Sequence, residues 1–212
     1  DIDWSADAFP FMAQVSGRLA GCPVRAYRIS FSGELSYEIA VPASQGLHLW
    51  QALLTAGNAL GAQPYGTEAL HILRAEKGFI MIGDETDGTV TPRDLGLDWA
   101  LSKKKRDFIG KRALERPDMA RPDRRRLVGL LTEEAQTVLP VGAYAVADPN
   151  APKPMKTVGH VTSSYMSPTL GRSIAMALVE RGPERMGETL SFPLESGVVR
   201  AKIVEPVFYD KD

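Results

Sequence analysis

Cysteine is almost absent from this sequence, which has Cys22 alone among its 212 residues. A single cysteine excludes an internal disulfide framework and suits a reducing compartment. Long apolar runs are missing as well, because no stretch approaches the roughly 20 residues that span a bilayer as a helix. The first residues lack the basic-then-apolar order of a signal peptide. We therefore expect a cytoplasmic protein that makes no membrane contact.

An excess of charge of either sign is also lacking, since 26 acidic and 25 basic residues leave a net charge of -1. This balance gives no electrostatic reason to expect a nucleic-acid partner or an anionic membrane. The basic run at residues 103–106 contains no aromatic side chain, so we interpret it as a solvated turn. Hydrophobic residues make up 44% of the chain and charged residues 24%, close to the average for soluble globular proteins. We expect the chain to fold, as one large domain or two small ones.

Several signatures of catalysis and of cofactor binding are missing. The sequence has no Gly-rich phosphate loop of the dinucleotide or nucleoside-triphosphate type, so no nicotinamide or flavin is expected to bind through such a fold. A Gly-x-Ser-x-Gly hydrolase motif is also absent. The three histidines lie far apart and have no pair of cysteines beside them, which argues against a zinc site. We therefore predict no metal site.

Residues 23–41 are predicted to form a β-hairpin, because apolar and polar side chains alternate on both sides of a glycine-containing turn. A simple hairpin about that turn pairs Phe31 with Tyr37 and Ser30 with Glu38. One face of the hairpin would then be apolar and the other polar. Phe31 and Glu38 would lie on opposite faces unless a bulge intervenes.

Two amphipathic helices are predicted after the hairpin, over about residues 44–60 and 67–77. The buried stripe of the first helix is expected to consist of Leu47, Trp50, Leu53, Leu54 and Leu60. Gly78 is well placed to end the second helix as a left-handed cap. Both helices should pack against the hairpin.

Two charged residues fall close to the apolar stripe of the second helix. At 100° per residue Glu76 lies near the middle of the stripe and Arg74 at its edge. A carboxylate that faces a core requires a partner. Glu76 therefore either has a buried role or, in the last turn of the helix, reaches water.

Residues 79–100 form a turn-rich connection of the kind that carries binding loops. Its acidic residues Asp84, Glu85 and Asp87 lack the spacing of a calcium-binding EF-hand loop. We interpret them as a solvated acidic turn.

A domain boundary is predicted at residues 116–126, where two prolines stand in a densely charged stretch. The sequence after it consists of short strand-like runs separated by turns, which is typical of a small β-barrel or sandwich. The predicted strands are 127–131, 143–146, 158–165, 174–179, 189–192 and 198–204. We therefore predict an α+β protein with one domain at residues 1–118 and a second at 124–212.

The segment from Arg28 to Ile39, RISFSGELSYEI, resembles the signature of the glycine cleavage T-protein and its aminomethyltransferase relatives. The motifs GTEAL, LRAEKG, GLDWA and DFIGK follow in the family's order, at residues 66–70, 73–78, 96–100 and 107–111. The second domain continues the resemblance with LVGL, GHVTSS, SPTL, IAMA and PVFYD, at residues 127–130, 159–164, 167–170, 174–177 and 206–210. The resemblance covers nearly the whole chain. It implies a partial folate-binding subdomain of mixed α/β structure followed by a small antiparallel β-barrel.

Two segments are more similar to the alpha subunits of heterotetrameric sarcosine oxidases than to the T-protein. They are AEKGFI at residues 75–80 and DGTVTP at residues 87–92. The resemblance implies tetrahydrofolate as the ligand and transfer of the one-carbon unit of oxidised sarcosine to it, with formaldehyde released when folate is absent. It also implies other sarcosine oxidase subunits as partners, with flavin and NAD bound only on other segments or subunits.

Three site residues follow from the resemblance. Glu38 would accept hydrogen bonds from the amino and ring N–H groups of the pterin. Arg74 would hold the other end of the ligand, a carboxylate, so that both residues converge on one flat molecule. Phe31 stands where the T-protein has a tyrosine, so ring stacking could remain while the hydroxyl hydrogen bond is lost.

The residues by themselves leave structural alternatives open for these positions. Arg74 could instead form an ion pair with Glu76 or Glu68, and Glu38 could pair with Arg28. Phe31 could simply belong to the core.

No catalytic residue is assigned in this chain. The catalytic aspartate of the family precedes the hairpin, and nothing before residue 23 resembles that segment. The chain also begins with Asp1, as if inside a domain, which favours a longer parent protein. Because part of the pocket wall would then be absent, we predict that this piece alone is inactive and binds folate poorly. Alternatives are a stand-alone T-protein-like aminomethyltransferase, a fragment of dimethylglycine dehydrogenase, or a non-catalytic folate-binding regulatory module.

Overall fold

The computed structural model describes residues 1–210 and confirms the predicted α+β class. The chain forms two compact units, the first comprising Asp1–Leu73 and the second beginning at Arg74. Within residues 1–210, no helix combines the length and the apolar character that a membrane span requires.

The first unit is built on a three-stranded antiparallel sheet in the order β1-β2-β3. Its strands are β1 (Gln14–Leu19), β2 (Cys22–Tyr27) and β3 (Glu38–Ala40), and helix α1 (Gly46–Asn58) follows them. Residues 22–26 of β2 alternate between buried and exposed, because one face of the sheet is covered and the other is open. The covered face packs Cys22 and Val24 against Leu49 of α1.

The predicted hairpin exists as β2 and β3, but its predicted register is wrong. Tyr27, not Ser30, lies opposite Glu38, and residues 28–37 form an irregular loop between the strands. Tyr37 is drawn away from the ladder because its ring packs against Trp4 in an edge-on contact, with ring centroids 4.9 Å apart. Phe31 and Tyr37 therefore do not form a strand pair. Strand β1, which occupies the other side of β2, was not predicted.

The first predicted helix is confirmed as α1, whereas its predicted buried stripe is wrong. Leu49 is the buried residue of α1, and Leu47, Trp50 and Leu53 are exposed. The helix covers only the three-stranded sheet, so a narrow contact line is sufficient and the remaining apolar side chains have no covering layer in this unit.

Helix α2 (Thr67–Glu76) confirms the second predicted helix and contains the boundary between the two units. Its last turn is its buried part, because Arg74, Ala75 and Glu76 are all buried. The chain leaves the helix through Gly78, whose φ of +78° is left-handed, as predicted. A Cβ at this position would collide with the carbonyl oxygen of Pro206, so the close approach of the two segments also requires glycine.

The second unit is a closed barrel of six antiparallel strands in the order β4-β7-β6-β5-β8-β9. All six predicted strands are confirmed, as Arg125–Thr132, Tyr144–Val146, Thr157–Ser167, Arg172–Glu180, Thr189–Leu194 and Gly197–Val204, which are β4 to β9. Residues 77–124 precede the barrel as a mostly irregular connection with 3-10 turns at Pro92–Leu95 and Asp98–Ala100 and a short helix α3 (Lys111–Leu114).

Strand β7 is buried on both of its faces. Ala175, Ala177 and Val179 face the barrel core, while Ile174 and Met176 belong to a second apolar cluster that includes residues of the preceding connection. Burial on both sides explains why this strand is a continuous apolar run instead of an alternating one. The second cluster attaches the connection to the barrel within the same unit.

Candidate functional site

Glu38 is the first residue of β3 and lies on the open face of the sheet, with an exposed side chain. Arg28, the ion-pair partner considered for it, donates instead to the carbonyl oxygen of Phe9 at 2.8 Å. Among residues 1–210 the Glu38 carboxylate has no hydrogen bond or ion pair. It is thus a carboxylate available to an external N–H donor.

Phe31 is half-buried in the loop of residues 28–37 and takes no part in the strand ladder. The rule that places alternate residues on opposite faces applies only inside a ladder. Because Phe31 lies outside the ladder, strand alternation does not prevent Phe31 and Glu38 from contacting one ligand.

Arg74 is fully buried, and both of its terminal nitrogens are used within the second unit. Nη1 donates to Glu85 Oε2 at 2.7 Å and to the Phe79 carbonyl oxygen at 3.2 Å. Nη2 donates to Ser163 Oγ at 2.6 Å and to Asp84 Oδ2 at 3.2 Å. The ion-pair partners are thus Glu85 and Asp84, and the alternatives Glu76 and Glu68 are wrong.

Glu85 mirrors this arrangement, with no exposed side-chain surface. One carboxylate oxygen accepts from Arg74 and from the Met81 amide at 2.8 Å. The other accepts from Thr162 Oγ1 at 2.9 Å and Ser163 Oγ at 2.5 Å. The prediction of a solvated acidic turn is therefore wrong for Glu85, because two hydroxyls of β6 and the guanidinium replace the water that a carboxylate needs.

Asp84 is the part of this network that reaches solvent, with 38% of its side chain exposed. Its Oδ2 atom contacts the buried guanidinium of Arg74. The network thus anchors the turn at residues 83–86 to strand β6 and orients one accessible carboxylate. Direct contact between a ligand and Arg74 would require these internal bonds to break.

Glu76 adopts the buried role, with 2% of its surface exposed. Its carboxylate accepts hydrogen bonds from Ser167 Oγ and, at 3.0 Å, from Thr169 Oγ1. Its backbone carbonyl accepts the amides of Phe208 and Tyr209 at 2.9 and 2.8 Å. The alternative that Glu76 reaches water is wrong, since neutral hydroxyls satisfy it.

Asp94 forms an ion pair that was missed in the sequence. Arg124 forms a bidentate contact with its carboxylate, in which Nε donates to Oδ1 at 2.9 Å and Nη2 donates to Oδ2 at 2.7 Å. Burial raises the pKa of Asp94, but hydrogen bonds from Arg124 and Thr91 outweigh it, so the pKa lies below the ordinary value of 3.8. The motif Thr91-Pro92-x-Asp94 was a usable signal, because Thr91 and Asp94 form a capping box at the start of a helical turn.

His160, in strand β6 of the barrel, also has a perturbed pKa. Burial lowers the pKa of its imidazole below the ordinary 6.5, and the neighbouring Arg125 guanidinium lowers it further, while Asp87 acts in the opposite direction. The imidazole is therefore neutral at pH 7. Within residues 1–210 no cluster of histidine, cysteine and acidic side chains could hold a metal ion.

Two family models match the chain in consecutive order. The GCVT N-terminal domain matches residues 1–105, and the glycine cleavage T-protein C-terminal barrel domain matches residues 125–210. The chain belongs to the glycine cleavage T-protein family. The closed barrel is thus the family's C-terminal domain, and the sheet and first helices fall within its N-terminal domain.

Three known proteins are similar to this chain over almost its entire length. Sarcosine oxidase subunit alpha of Corynebacterium sp. (strain P-1) is 46% identical over 100% of this chain, which covers 22% of that protein. The corresponding subunit of Rhizobium meliloti (strain 1021) is 43% identical over 99% of this chain, again 22% of the relative. Aminomethyltransferase of Cutibacterium acnes is 37% identical over 93% of this chain and 51% of the relative.

A solved structure shares the fold of this family member. The crystal structure of glycine cleavage system aminomethyltransferase T from Bartonella henselae superposes with a TM-score of 0.79 at 24% identity, covering 94% of this chain and 52% of that one. The chain thus spans about half the length of the aminomethyltransferases and 22% of the sarcosine oxidase alpha subunits that it matches.

Proposed function

We propose that this chain is part of a sarcosine oxidase alpha subunit, where it contributes to a tetrahydrofolate-binding module that accepts the one-carbon unit of oxidised sarcosine. The observation that carries the proposal is the 46% identity with a sarcosine oxidase subunit alpha along the whole chain. The aminomethyltransferases match over less of the chain and at lower identity. In this proposal the parent protein works in the cytoplasm with other sarcosine oxidase subunits, and its flavin and NAD sites lie on other segments of the parent chain or on those subunits.

Glu38 is the proposed contact to the flat end of the folate. A pterin presents amino and ring N–H donors in one plane, and an ionised carboxylate can accept two of them at once. The exposed Glu38 carboxylate fits this role because no partner within residues 1–210 occupies it. Phe31 is proposed to contact the ring plane through its own ring, whose exposed part is available for stacking.

Arg74 is proposed to act on the site indirectly. Its guanidinium is buried and bonded to Glu85, so it orients the turn that carries Asp84. Glu38 and Arg74 lie in different compact units, and only Glu38 is proposed to contact the ligand directly. The division into domains at residues 1–118 and 124–212 likewise remains our proposal.

The decisive experiment uses the full-length enzyme with its partner subunits. Sarcosine turnover is followed with and without tetrahydrofolate, and methylenetetrahydrofolate and formaldehyde are quantified. We expect tetrahydrofolate to divert the one-carbon unit from formaldehyde to methylenetetrahydrofolate. An unchanged formaldehyde yield at saturating tetrahydrofolate would contradict the proposal.

A pair of matched variants links the result to this chain. Glu38→Gln keeps the side-chain shape but removes the charge, and we expect a larger fraction of formaldehyde at a fixed folate concentration. Glu195→Gln makes the same change at an exposed turn between β8 and β9, and it should behave as the wild type. Equal product ratios in both variants would exclude Glu38 from the site.

A stand-alone aminomethyltransferase is the second candidate function. The match to the enzyme of Cutibacterium acnes over 93% of this chain favours it. Such a protein would act on an aminomethyl group carried by a lipoyl protein, with no need for sarcosine. Glycine formation from sarcosine by the full-length protein separates the two candidates.

A further inference from the structure

The open face of the three-stranded sheet is organised in rows by the strand register. Directly opposed residues of antiparallel strands point to the same side, so each row crosses all three strands. The first row consists of Gln14, Tyr27 and Glu38, and the second of Ser16, Arg25 and Ala40. A hydrogen bond of 3.0 Å from Gln14 Nε2 to Ser16 Oγ connects the two rows, which agrees with their placement on one face.

Charges of opposite sign stand in neighbouring rows of this face. Glu38 and Arg25 are diagonal neighbours, a relationship that separates their backbones by about 7–8 Å. No salt bridge joins them, and within residues 1–210 neither side chain has a hydrogen-bond partner. Both charged groups are therefore available to a ligand longer than their separation.

A groove runs along the same face beside Arg25. Its volume is about 510 Å³, and Ser16, Pro23, Arg25 and Ala40 line it together with Pro42. This volume falls within the range of about 300–1,000 Å³ that is usual for small-molecule sites. The open face of the sheet thus carries the carboxylate of Glu38, the phenol of Tyr27 and the guanidinium of Arg25, and the groove lies beside Arg25.

The buried state of Arg74 leaves the anionic end of a folate without a cation from α2. Its two terminal nitrogens already donate to Glu85, Ser163 and other internal acceptors. Arg25 has the opposite character, because it is exposed and has no partner among the described residues. A guanidinium in this state suits a carboxylate, which it can bind through two parallel hydrogen bonds.

We infer that Arg25 binds the carboxylate end of the folate whose ring Glu38 holds, and that Tyr27 lies under the ligand between them. This inference rests on the proposed function and refines it. Tyr27 is directly opposite Glu38 in the register, so a flat heterocycle bound to the carboxylate would lie next to the Tyr27 side chain. The ligand would lie along β2 with its donor-rich end at β3.

The test separates the two ends of the ligand by calorimetric titration of the full-length enzyme with its partner subunits. The probes are tetrahydrofolate and 6-methyltetrahydropterin, which has the ring but not the carboxylate-bearing tail. We expect Arg25→Ala to weaken tetrahydrofolate binding by about tenfold, the effect of losing a charged hydrogen-bond pair, and to leave 6-methyltetrahydropterin binding unchanged. Tyr27→Ala should weaken the binding of both probes, and Arg25→Lys should restore part of the tetrahydrofolate affinity.

Arg200→Ala is the matched control, since Arg200 is an exposed arginine of the barrel that pairs with Glu133 at 3.2 Å. It should leave both affinities unchanged. Two results would overturn the assignment of Arg25 while the proposed function stands. In one, Arg25→Ala binds tetrahydrofolate as tightly as the wild type; in the other, it loses affinity for both probes equally. A wild-type enzyme that binds neither probe would overturn the proposed function itself.

Discussion

Replacing Glu85 by glutamine would leave the guanidinium of Arg74 buried without its principal counter-charge. Glutamine keeps the size of the side chain, so the change removes charge with little loss of packing. Asp84 remains within 3.2 Å of Arg74 but is 38% exposed, and its screened charge compensates only in part. We expect the free energy of unfolding of the second unit to fall by about 3–5 kcal/mol, the cost of breaking a buried ion pair by removing one partner.

The geometry also determines what the double variant should do. Arg74→Met with Glu85→Gln removes both charges. The amide oxygen of the glutamine can accept from the Met81 N–H, and its NH2 group can donate to the hydroxyls of Thr162 and Ser163, which both donate and accept. We therefore expect the double variant to be more stable than Glu85→Gln alone. The coupling energy should be at least about 2 kcal/mol, within the range for residues in direct contact.

Urea-induced unfolding followed by circular dichroism measures these differences in the two single variants, the double variant and the wild type. Arg200→Ala serves again as the control, because its ion pair with Glu133 is exposed and should contribute about 0–1 kcal/mol. Additive losses in the double variant would refute the reasoning, since they would mean that the two charges do not depend on each other.

Two further predictions concern acid stability and the turn after α2. The pKa of Asp94 is lowered in the folded protein, so its ion pair with Arg124 stabilises the fold fully above the ordinary pKa of 3.8. That stabilisation is lost as the pH falls through the pKa of the folded state, and Asp94→Asn should therefore reduce the loss of unfolding free energy at acid pH. An equal loss in the variant and the wild type would contradict the assignment. Gly78→Ala should destabilise the protein by at least about 1 kcal/mol, because φ of residue 78 is left-handed and the new Cβ would collide with the Pro206 carbonyl oxygen. A melting temperature equal to that of the wild type would contradict this prediction.

The barrel could be predicted because each of its strands is a local pattern. Short apolar runs between turn residues identify strands without any knowledge of their partners. Closure required only that all six strands pair with two neighbours, and the observed order satisfies this condition. The helices α1 and α2 were predicted for the same reason, since helical spacing is local.

The buried network around Arg74 could not be predicted, because its partners are distant in sequence. Glu85 lies in a segment, Gly83-Asp84-Glu85-Thr86, that has the composition of any solvated turn. Its burial depends on Ser163, which is 78 positions away along the chain. Whether a charged side chain is buried depends on the assembled fold, so the local composition around Glu85 could not predict its burial.

The register of β2 and β3 was mispredicted because the loop between them serves another cluster. The alternation through residues 28–37 favoured a continuous ladder, but the ring of Tyr37 packs against Phe9 and Trp4. Aromatic packing between residues separated by about thirty positions outweighed a few ladder hydrogen bonds, each of which contributes only about 0.5–1.5 kcal/mol. The proposed site residue Glu38 could be named from the motif, while its neighbour Tyr27 became evident only from the observed pairing.

In the proposed site, the pairing of Tyr27 with Glu38 makes ligand recognition depend on the alignment of β2 with β3. A slip of one position between β2 and β3 would turn Glu38 toward the helix and expose Ile39 in its place. Any insertion or deletion inside the loop of residues 28–37 that shifted this alignment would remove the Glu38 carboxylate from the open face of the sheet, even if every side chain in the strands were retained. Relatives with a longer or shorter loop between β2 and β3 should therefore keep the register in which Glu38 lies on the open face of the sheet.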